Sequence, residues 1–238
     1  SQKWLGGLNF IINLIESISL LKNKKIKLVL IVDKKFNSKI IKNHNIEIIK
    51  TNFFLHESFT KRIFNKLLIF FLGKSYIYEK FFKYHKINVL SHYNLPLGKK
   101  SDVKSFPWLT DLQFLHYPQN FSFKNRILKK INIKLLELHS KKIILSSKNA
   151  RRDLKKISVK AYKKSVVNSF SFGLLNVKKI LSLKTLKKKY KIKKKFFYLP
   201  NQYFVHKNHI VVIKALNQIL KEKKNNDIMV ISTGHNSD

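Results

Sequence analysis

The stretch from Pro107 to Ser122 carries polar groups of the kinds that acid–base chemistry uses, set among aromatic residues and prolines. It offers the Asp111 carboxylate, the Gln113 amide and the His116 imidazole, and polar groups between bulky apolar ones are typical of a small-molecule pocket. In an extended segment Asp111 and Gln113 would share one face and His116 would take the other, unless a bend brings it back. The stretch leads into a predicted helix that the Ser122 side chain would cap. An alternative stays open, in which His116 is a structural histidine and Asp111 caps a turn.

A second candidate site lies in residues 199–209, which follow a predicted strand and open a predicted helix. Lys207 stands in this loop, with the positive end of the helix dipole behind it. A lysine and a helix N-terminus together are suited to binding a diphosphate. The alternative is that Lys207 is one more exposed lysine and that Asn208 only caps the helix.

A third candidate is the pair Gly6–Gly7, which we expect just before a helix that starts near Leu8. Glycines let the backbone approach a ligand closely, and the free N–H groups of a helix N-terminus can bind an anion or a hydroxyl group. A tight turn between a strand and a helix explains the pair equally well.

The chain alternates between β-branched runs and segments with helical spacing. The predicted strands are 27–32, 46–49, 88–91, 142–145, 166–170, 196–199 and 227–232, and the predicted helices are 8–21, 58–71, 122–138, 147–157 and 206–223. Such alternation predicts parallel strands joined by crossover helices in a doubly wound α/β sheet. In such a sheet, ligands bind beyond the carboxyl ends of the strands.

The lysine-rich segment 173–195 lacks a central-strand signal and predicts a surface connection between two domains. The first domain would comprise residues 1–172, and the second would run from 196 to 238. The second part holds only two strands and one helix, too little to bury a core of its own. Because the chain also starts without an initiator methionine and stops just after a strand, we expect it to be a fragment of a longer protein.

Fifty lysines and arginines face 12 acidic residues, which gives a formal charge of +38. Such an excess favours a polyanionic partner: nucleic acid, anionic lipid or a phosphorylated substrate. Nearly all of it is lysine, however, and an AT-rich genome would impose this lysine-rich, alanine-poor composition on any protein. Cysteine is absent, which excludes thiol nucleophiles, thiolate metal sites and disulfides. The longest apolar runs are too short to span a membrane.

Several groups of residues, taken in order, resemble the motifs of bacterial glycosyltransferases of glycosyltransferase family 4. They are Gly6-Gly7-x-Asn9; Trp108-x-x-Asp111-x-Gln113-x-x-His116-x-Pro118-x-x-Phe121-Ser122; Ser146-Ser147 with Asp153-Leu154; and Pro200-Asn201-Gln202-x-x-x-His206-Lys207-Asn208-His209, followed by Ala215-Leu216 and Ser232-Thr233-Gly234. The resemblance covers essentially the whole chain, and the motif around Lys207 is its most specific part.

The resemblance implies the GT-B architecture, in which two Rossmann-like domains face each other. The first domain mainly binds the acceptor and the second mainly binds the nucleotide-sugar donor. It further implies a hexosyltransferase that retains the anomeric configuration, needs no metal or other cofactor, and builds a cell-surface polysaccharide or lipopolysaccharide. We therefore expect a cytoplasmic protein, able to lie on the inner face of the cytoplasmic membrane, with a glycan or lipid-linked acceptor and no specific nucleic acid as partner.

The resemblance also distributes the candidate residues between the two substrates. Asp111 and His116 match positions that face the transferred sugar, which makes them the candidate catalytic residues. The acceptor side takes Gly6, Gly7, Asn9 and Gln113, and the donor diphosphate takes Asn201, Gln202, His206 and Lys207. Negative charge grows on the leaving diphosphate as the glycosidic bond breaks, and Lys207 would neutralise it.

Three departures from the family pattern stand out. Phe114 directly follows Gln113 where members commonly have a histidine, and Gln202 occupies the region where an arginine often precedes the lysine. The downstream glutamate pair that holds ribose and sugar is missing, so we expect that this chain alone does not complete catalysis. Two alternatives remain: a non-enzymatic polyanion-binding protein, and a nucleotide-sugar epimerase of the same fold.

Overall fold

The computed structural model describes residues 5–21, 26–38, 41, 46–54, 59–95, 97–170, 181–223 and 227–234. The chain divides into two compact units, Ser1–Leu175 and Asn176–Asp238. This division falls a few residues after the boundary predicted at 172. Residues 173–180 of the predicted connection lie outside the described residues.

The first unit alternates helices and strands along the chain. Its described helices are α1 (Leu5–Ser19), α2 (Phe59–Leu72), α3 (Tyr76–Tyr84), α4 (Phe123–His139), α5 (Lys148–Ile157) and α6 (Val159–Lys163). Its described strands are β1 (Val29–Val32), β2 (Glu47–Lys50), β3 (Val89–Ser91), β4 (Lys104–Phe106), β5 (Trp108–Leu109), β6 (Ile143–Leu145) and β7 (Ser165–Val167). The second unit contains α7 (Leu183–Lys189), β8 (Lys195–Pro200), α8 (His209–Lys223) and β9 (Ile228–Thr233).

All the described strands pair in parallel, in the order β1-β2, β3-β4, β5-β6-β7 and β8-β9. The predicted α/β class with parallel strands is therefore confirmed. The described strands form small sheets of two or three, whereas the sequence predicted a doubly wound sheet in each of two domains. Each predicted strand and helix is present, with bounds shifted by a few residues. The helices α3 and α6 were not predicted, because both are too short to show a clear period. Helix α7 lies in the predicted connection 173–195, for which no helix bounds were predicted.

The run from Lys104 to Leu109 was also not predicted as a strand. It lies between two predicted strands, since β4 pairs with β3 and β5 pairs with β6. Pro107 separates β4 from β5 because proline has no N–H for the ladder, although its carbonyl accepts a hydrogen bond from the Ile144 N–H (2.8 Å). The segment from Lys104 to Leu109 therefore pairs with β3 through β4 and with β6 through β5.

The core of the first unit consists of buried clusters on the helix-covered faces of these strands. The largest packs α4 and α5 against β6 and comprises Leu112, Phe114, Ile133, Leu136, Ile143, Leu145, Ala150, Leu154 and Ala161. A second packs α3 against β3 and comprises Tyr78, Phe82, Leu90, Leu95, Leu97 and Val103. Burial of this apolar surface is the main force that holds the strand ends, and the loops that follow them, in place.

Serine hydroxyls fix where several helices begin. Each accepts a hydrogen bond from the backbone N–H three residues later, at Ser75, Ser122, Ser147, Ser158 and Ser182. Such caps satisfy one of the N–H groups that a helix start leaves without an internal partner. The predicted cap at Ser122 is confirmed.

In the second unit, β8 and β9 pair over six residues each, from Lys195 opposite Ile228 to Pro200 opposite Thr233. None of the second unit's described residues is fully buried. Among the helices of the described part of the chain, none combines the length and apolarity needed to cross a bilayer.

Candidate functional site

In the first unit, candidate site residues follow the carboxyl ends of the parallel strands. His92 comes directly after β3, and Asp111 lies two residues after β5. The loop after β3 is tied to the neighbouring strands, because the His92 N–H donates to the Phe106 carbonyl (3.0 Å) and the Trp108 N–H donates to Asn94 Oδ1 (3.2 Å). These are the positions where α/β proteins bind ligands.

A cluster of rings joins helix α1 to these strand ends. Phe10 stacks on Trp108, with ring centroids 4.4 Å apart, and meets Phe170 edge to face at 5.2 Å. The Trp108 indole Nε1 donates a hydrogen bond to Ser146 Oγ (2.9 Å) at the end of β6. The His92 ring lies beside the rings of Phe10 and Trp108, with its centroid 5.5 Å and 5.6 Å from theirs, respectively. The cluster therefore connects α1, β3, β5 and β6.

Helix α1 begins at Leu5, so Gly6, Gly7 and Asn9 lie within its first two turns. The expectation that the glycine pair precedes a helix starting near Leu8 was wrong. The first four N–H groups of a helix have no partner within it, so glycines in the first turn cost little there and still offer their N–H groups to an anion. Gly7 is buried and Gly6 is exposed.

The segment after β5 is not extended, contrary to the geometry first considered. Residues Gln113–Leu115 form a 3-10 turn, and Asp111 Oδ1 accepts a hydrogen bond from the Gln113 N–H (3.2 Å). Residues three apart in such a turn lie on the same side, so Gln113 and His116 share a face. The structural role left open for Asp111 is therefore real, because one of its oxygens caps this turn.

His116 is held by a carboxylate from a different element. Its Nε2 lies 2.6 Å from Oδ2 of Asp153, which belongs to α5, and Lys156 Nζ lies 2.9 Å from the other Asp153 oxygen. Burial by itself raises the pKa of the Asp153 carboxyl, but the hydrogen bonds and charges of Lys156 and His116 lower it below its ordinary value. Asp153 is therefore a carboxylate at neutral pH.

The pair from His116 and Asp153 orients the imidazole. Because Nε2 is engaged by the carboxylate, Nδ1 is the ring nitrogen that can meet a ligand. The His116 side chain is half exposed, so a substrate hydroxyl can reach it. Asp153 belongs to one of the motifs that carry the family resemblance, but the sequence predicts no role for it. A carboxylate in the second turn of a helix that follows a strand could have indicated a partner for a loop histidine.

His92 is a candidate residue that the sequence reasoning missed. Its Nδ1 lies 2.7 Å from Ser91 Oγ, while its Nε2 is buried and has no hydrogen-bond partner in the described part of the protein. Its backbone is left-handed, with φ 59°, which is uncommon outside glycine. Burial lowers the pKa of His92 to about 4. The available signal was a histidine directly after a predicted strand.

We predict that His92 makes the protein less stable in mild acid. An unfolded histidine binds a proton near pH 6.5 but folded His92 only near pH 4, so between these values the unfolded state binds more protons. The free energy of unfolding should fall by about 2 kcal/mol from pH 7 to pH 5 on this account. Urea titrations at both pH values measure it. In the variant His92→Asn, whose side chain tolerates the left-handed backbone, the free energy of unfolding should fall by about 2 kcal/mol less between pH 7 and pH 5. An identical pH dependence in both proteins would contradict the prediction.

In the second unit, the carboxyl ends of β8 and β9 meet. Gly234, the residue after β9, lies so close to the backbone of Asn201 that a Cβ atom on it would overlap the Asn201 carbonyl oxygen. The same atom would lie 3.0 Å from the Cα of Gln202. Two of the predicted donor-binding residues therefore pack against the end of the neighbouring strand.

Helix α8 starts later than predicted. The expected start was His206, but residues Val205–Lys207 form a 3-10 turn and α8 begins at His209. Asn208 between them has a left-handed backbone, with φ 51° and ψ 46°, which breaks the helical path. Its carbonyl accepts the Val211 N–H (3.1 Å) at the start of α8.

Lys207 stands in the turn that leads into α8, with an exposed side chain. Its N–H donates to the Phe204 carbonyl (2.9 Å), and the rings of Tyr203 and His209 lie 5.2 Å apart across the loop. These contacts hold the loop against the helix start. An exposed cation next to the positive end of a helix can bind a diphosphate.

The structure thus places His116 within hydrogen-bonding distance of Asp153. It packs Asn201 and Gln202 against Gly234. Asp111 and Gln113 belong to one local turn. Within the described ranges, no group of three or more histidine, aspartate or glutamate side chains is placed to hold a metal ion. No protein-family model matches the chain, and neither does any curated protein compared with it.

Proposed function

We propose that this chain is part of a nucleotide-sugar-dependent glycosyltransferase of the GT-B kind, similar to glycosyltransferase family 4. The enzyme transfers a hexose with retention to a glycan or lipid-linked acceptor, in the synthesis of a cell-surface polysaccharide or lipopolysaccharide. The second unit binds the donor and the first binds the acceptor. The ordered motifs and the alternation of parallel strands with helices support this assignment.

The observation that carries the proposal is the loop between β8 and α8. Asn201 and Gln202 lie at the carboxyl end of β8 against Gly234, and Lys207 lies just before the first turn of α8. A strand end, a close backbone contact and a helix N-terminus with a lysine are the parts of a nucleotide-diphosphate site. The motif around Lys207 is also the most specific part of the resemblance.

These residues act by stabilising negative charge. As the bond between the sugar and the diphosphate breaks, negative charge grows on the leaving phosphate. The Lys207 ammonium and the N-terminal N–H groups of α8 are suited to stabilise that charge. In the first unit, His116 oriented by Asp153 offers Nδ1 to a sugar hydroxyl, and the N–H of the exposed Gly6 in the first turn of α1 is suited to an acceptor oxygen.

The test is ligand-induced thermal stabilisation at physiological salt, with UDP-, GDP-, ADP- and dTDP-sugars. A ligand at about 100 times its dissociation constant adds roughly 2.7 kcal/mol to the free energy of unfolding. We expect stabilisation by one nucleotide class, lost in Lys207→Ala. The variant Lys221→Ala, which removes an exposed lysine near the other end of α8, should keep it.

Other outcomes reject the proposal. Stabilisation that survives Lys207→Ala would place the donor elsewhere. Stabilisation by any polyanion, declining steeply with salt, would support the non-enzymatic polyanion-binding alternative instead. Conversion of the donor sugar without an acceptor would identify an epimerase.

A further inference from the structure

The outward face of helix α4 is apolar, although it faces solvent. Phe123, Ile127 and Ile131 follow one another at intervals of four residues, so they lie along one line of the helix. Their exposed fractions are 70%, 42% and 50%. The core-facing side is formed by other residues, chiefly Ile133 and Leu136. A surface helix ordinarily turns polar residues outward, so this face departs from the usual pattern.

Cations flank the apolar line. Lys124 and Lys130 are both exposed on α4, one on each side of Ile127. The single carboxylate of this helix, Glu137, is buried and bound to Lys134 (2.7 Å) and to the Ser158 hydroxyl, so it does not offset the outward charge. The outward face of α4 therefore combines apolar side chains with uncompensated positive charge.

A cavity of about 250 Å³ opens beside the first turns of the same helix. Its lining includes Pro118, from the turn before α4, and Arg126, Ile127 and Lys130, from α4 itself. Arg126 Nε is buried, and the described residues supply it with no hydrogen-bond partner. The guanidinium also lies over the Phe123 ring, at 5.6 Å. The cavity thus offers two cationic side chains to an anionic group that arrives together with apolar material.

We infer that the outward face of α4 binds the surface of an anionic phospholipid bilayer. Phe123, Ile127 and Ile131 enter the boundary between headgroups and acyl chains, and Lys124, Lys130 and Arg126 meet lipid phosphates. A bilayer takes up both kinds of side chain at once, as amphipathic helices at membrane surfaces do. A nucleic acid would use the cations but has no place for aliphatic side chains. This inference does not depend on the proposed sugar transfer.

The experiment is flotation of the chain with vesicles of phosphatidylcholine alone, or with one quarter phosphatidylglycerol. We expect binding only to the anionic vesicles. Lys124→Gln with Lys130→Gln should weaken it by about fivefold for each lysine. The matched control, Lys184→Gln with Lys188→Gln on α7, removes the same charge from another exposed helix and should change binding less than twofold.

The apolar contribution is tested at about 1 M NaCl, where the Debye length is roughly 3 Å and exposed charges are screened. The unmodified chain should keep part of its vesicle binding, and Ile127→Ser with Ile131→Ser should lose that part. Val159→Ser with Leu183→Ser, which alters two apolar residues elsewhere that are at least as exposed, is the control.

Three results would overturn the inference. Equal losses in the α4 and α7 lysine pairs would show that only total charge matters. Full retention of binding in the isoleucine pair at high salt would exclude this face. Displacement of the chain from vesicles by single-stranded RNA at physiological salt, or self-association abolished by the isoleucine pair, would assign the face to another partner.

Discussion

Replacing Trp108 with alanine is expected to lower the free energy of unfolding by about 3–5 kcal/mol. The indole is buried, stacks on Phe10 at 4.4 Å and meets Phe170 edge to face. Its Nε1 donates to Ser146 Oγ (2.9 Å). Truncation to alanine therefore removes the apolar burial, the ring contacts and a buried hydrogen bond at once.

A conservative variant separates these contributions. Trp108→Phe keeps a ring against Phe10 but removes the donor to Ser146, and should cost about 1 kcal/mol for the hydrogen bond together with a smaller packing loss. Denaturant titrations monitored by far-ultraviolet circular dichroism measure both variants. A loss below about 1 kcal/mol in Trp108→Ala would contradict the packing described here.

The consequence extends to the candidate catalytic histidine. Ser146 precedes Ser147, which caps α5, and α5 carries the Asp153 carboxylate that holds His116. Trp108 is therefore a positioning residue for this pair, since it fixes the end of β6 from which α5 starts. In Trp108→Ala the His116 ring should lose its fixed orientation, which the imidazole proton signals report in nuclear magnetic resonance spectra.

Replacing Gly234 with alanine should destabilise the second unit by about 3 kcal/mol and abolish stabilisation by a nucleotide sugar. The added Cβ would overlap the Asn201 carbonyl oxygen and crowd Gln202, at 3.0 Å from its Cα. These neighbours are backbone atoms, which cannot rotate away as a flexible side chain could. The loop after β8 must then move from the end of β9, and the proposed diphosphate site opens.

The matched control for this variant is Ser232→Ala. It removes one hydrogen bond, from Ser232 Oγ to the Leu199 carbonyl (3.2 Å), while leaving the approach of Gly234 to Asn201 intact. It should cost about 1 kcal/mol or less and keep donor binding. Thermal unfolding with and without nucleotide sugar measures both effects. Donor binding that persists in Gly234→Ala would show that this contact is not part of the site.

The strands and long helices could be predicted because their signals are local. A β-branched run such as 143–145 or a period of 3.6 over α4 depends on residues close together in the chain. The elements that escaped prediction have weak local signals. The strand from Lys104 to Leu109 is short and broken by Pro107, and its pairing with β3 and β6 decides its conformation.

The candidate sites likewise contain some features that the local sequence predicts and others that it does not. That Lys207 follows a predicted strand was evident from the order of the elements, whereas the strand β5 before Asp111 and His116 was not predicted. The local turns were not, since the 3-10 turn at Gln113–Leu115 and the left-handed Asn208 depend on backbone geometry that periodicity does not report.

By itself, the sequence determined the α/β class, the parallel strands and the serine that caps α4, because propensity, periodicity and capping act over a few residues. Only the tertiary structure decided which carboxylate holds His116, because Asp153 lies 37 residues further along the chain. It also decided the position of His92 beside the stacked rings of Phe10 and Trp108, and the exposure of the apolar residues on the outward face of α4. These features arise from contacts between elements, whose packing sums many distant interactions that no single stretch of chain encodes.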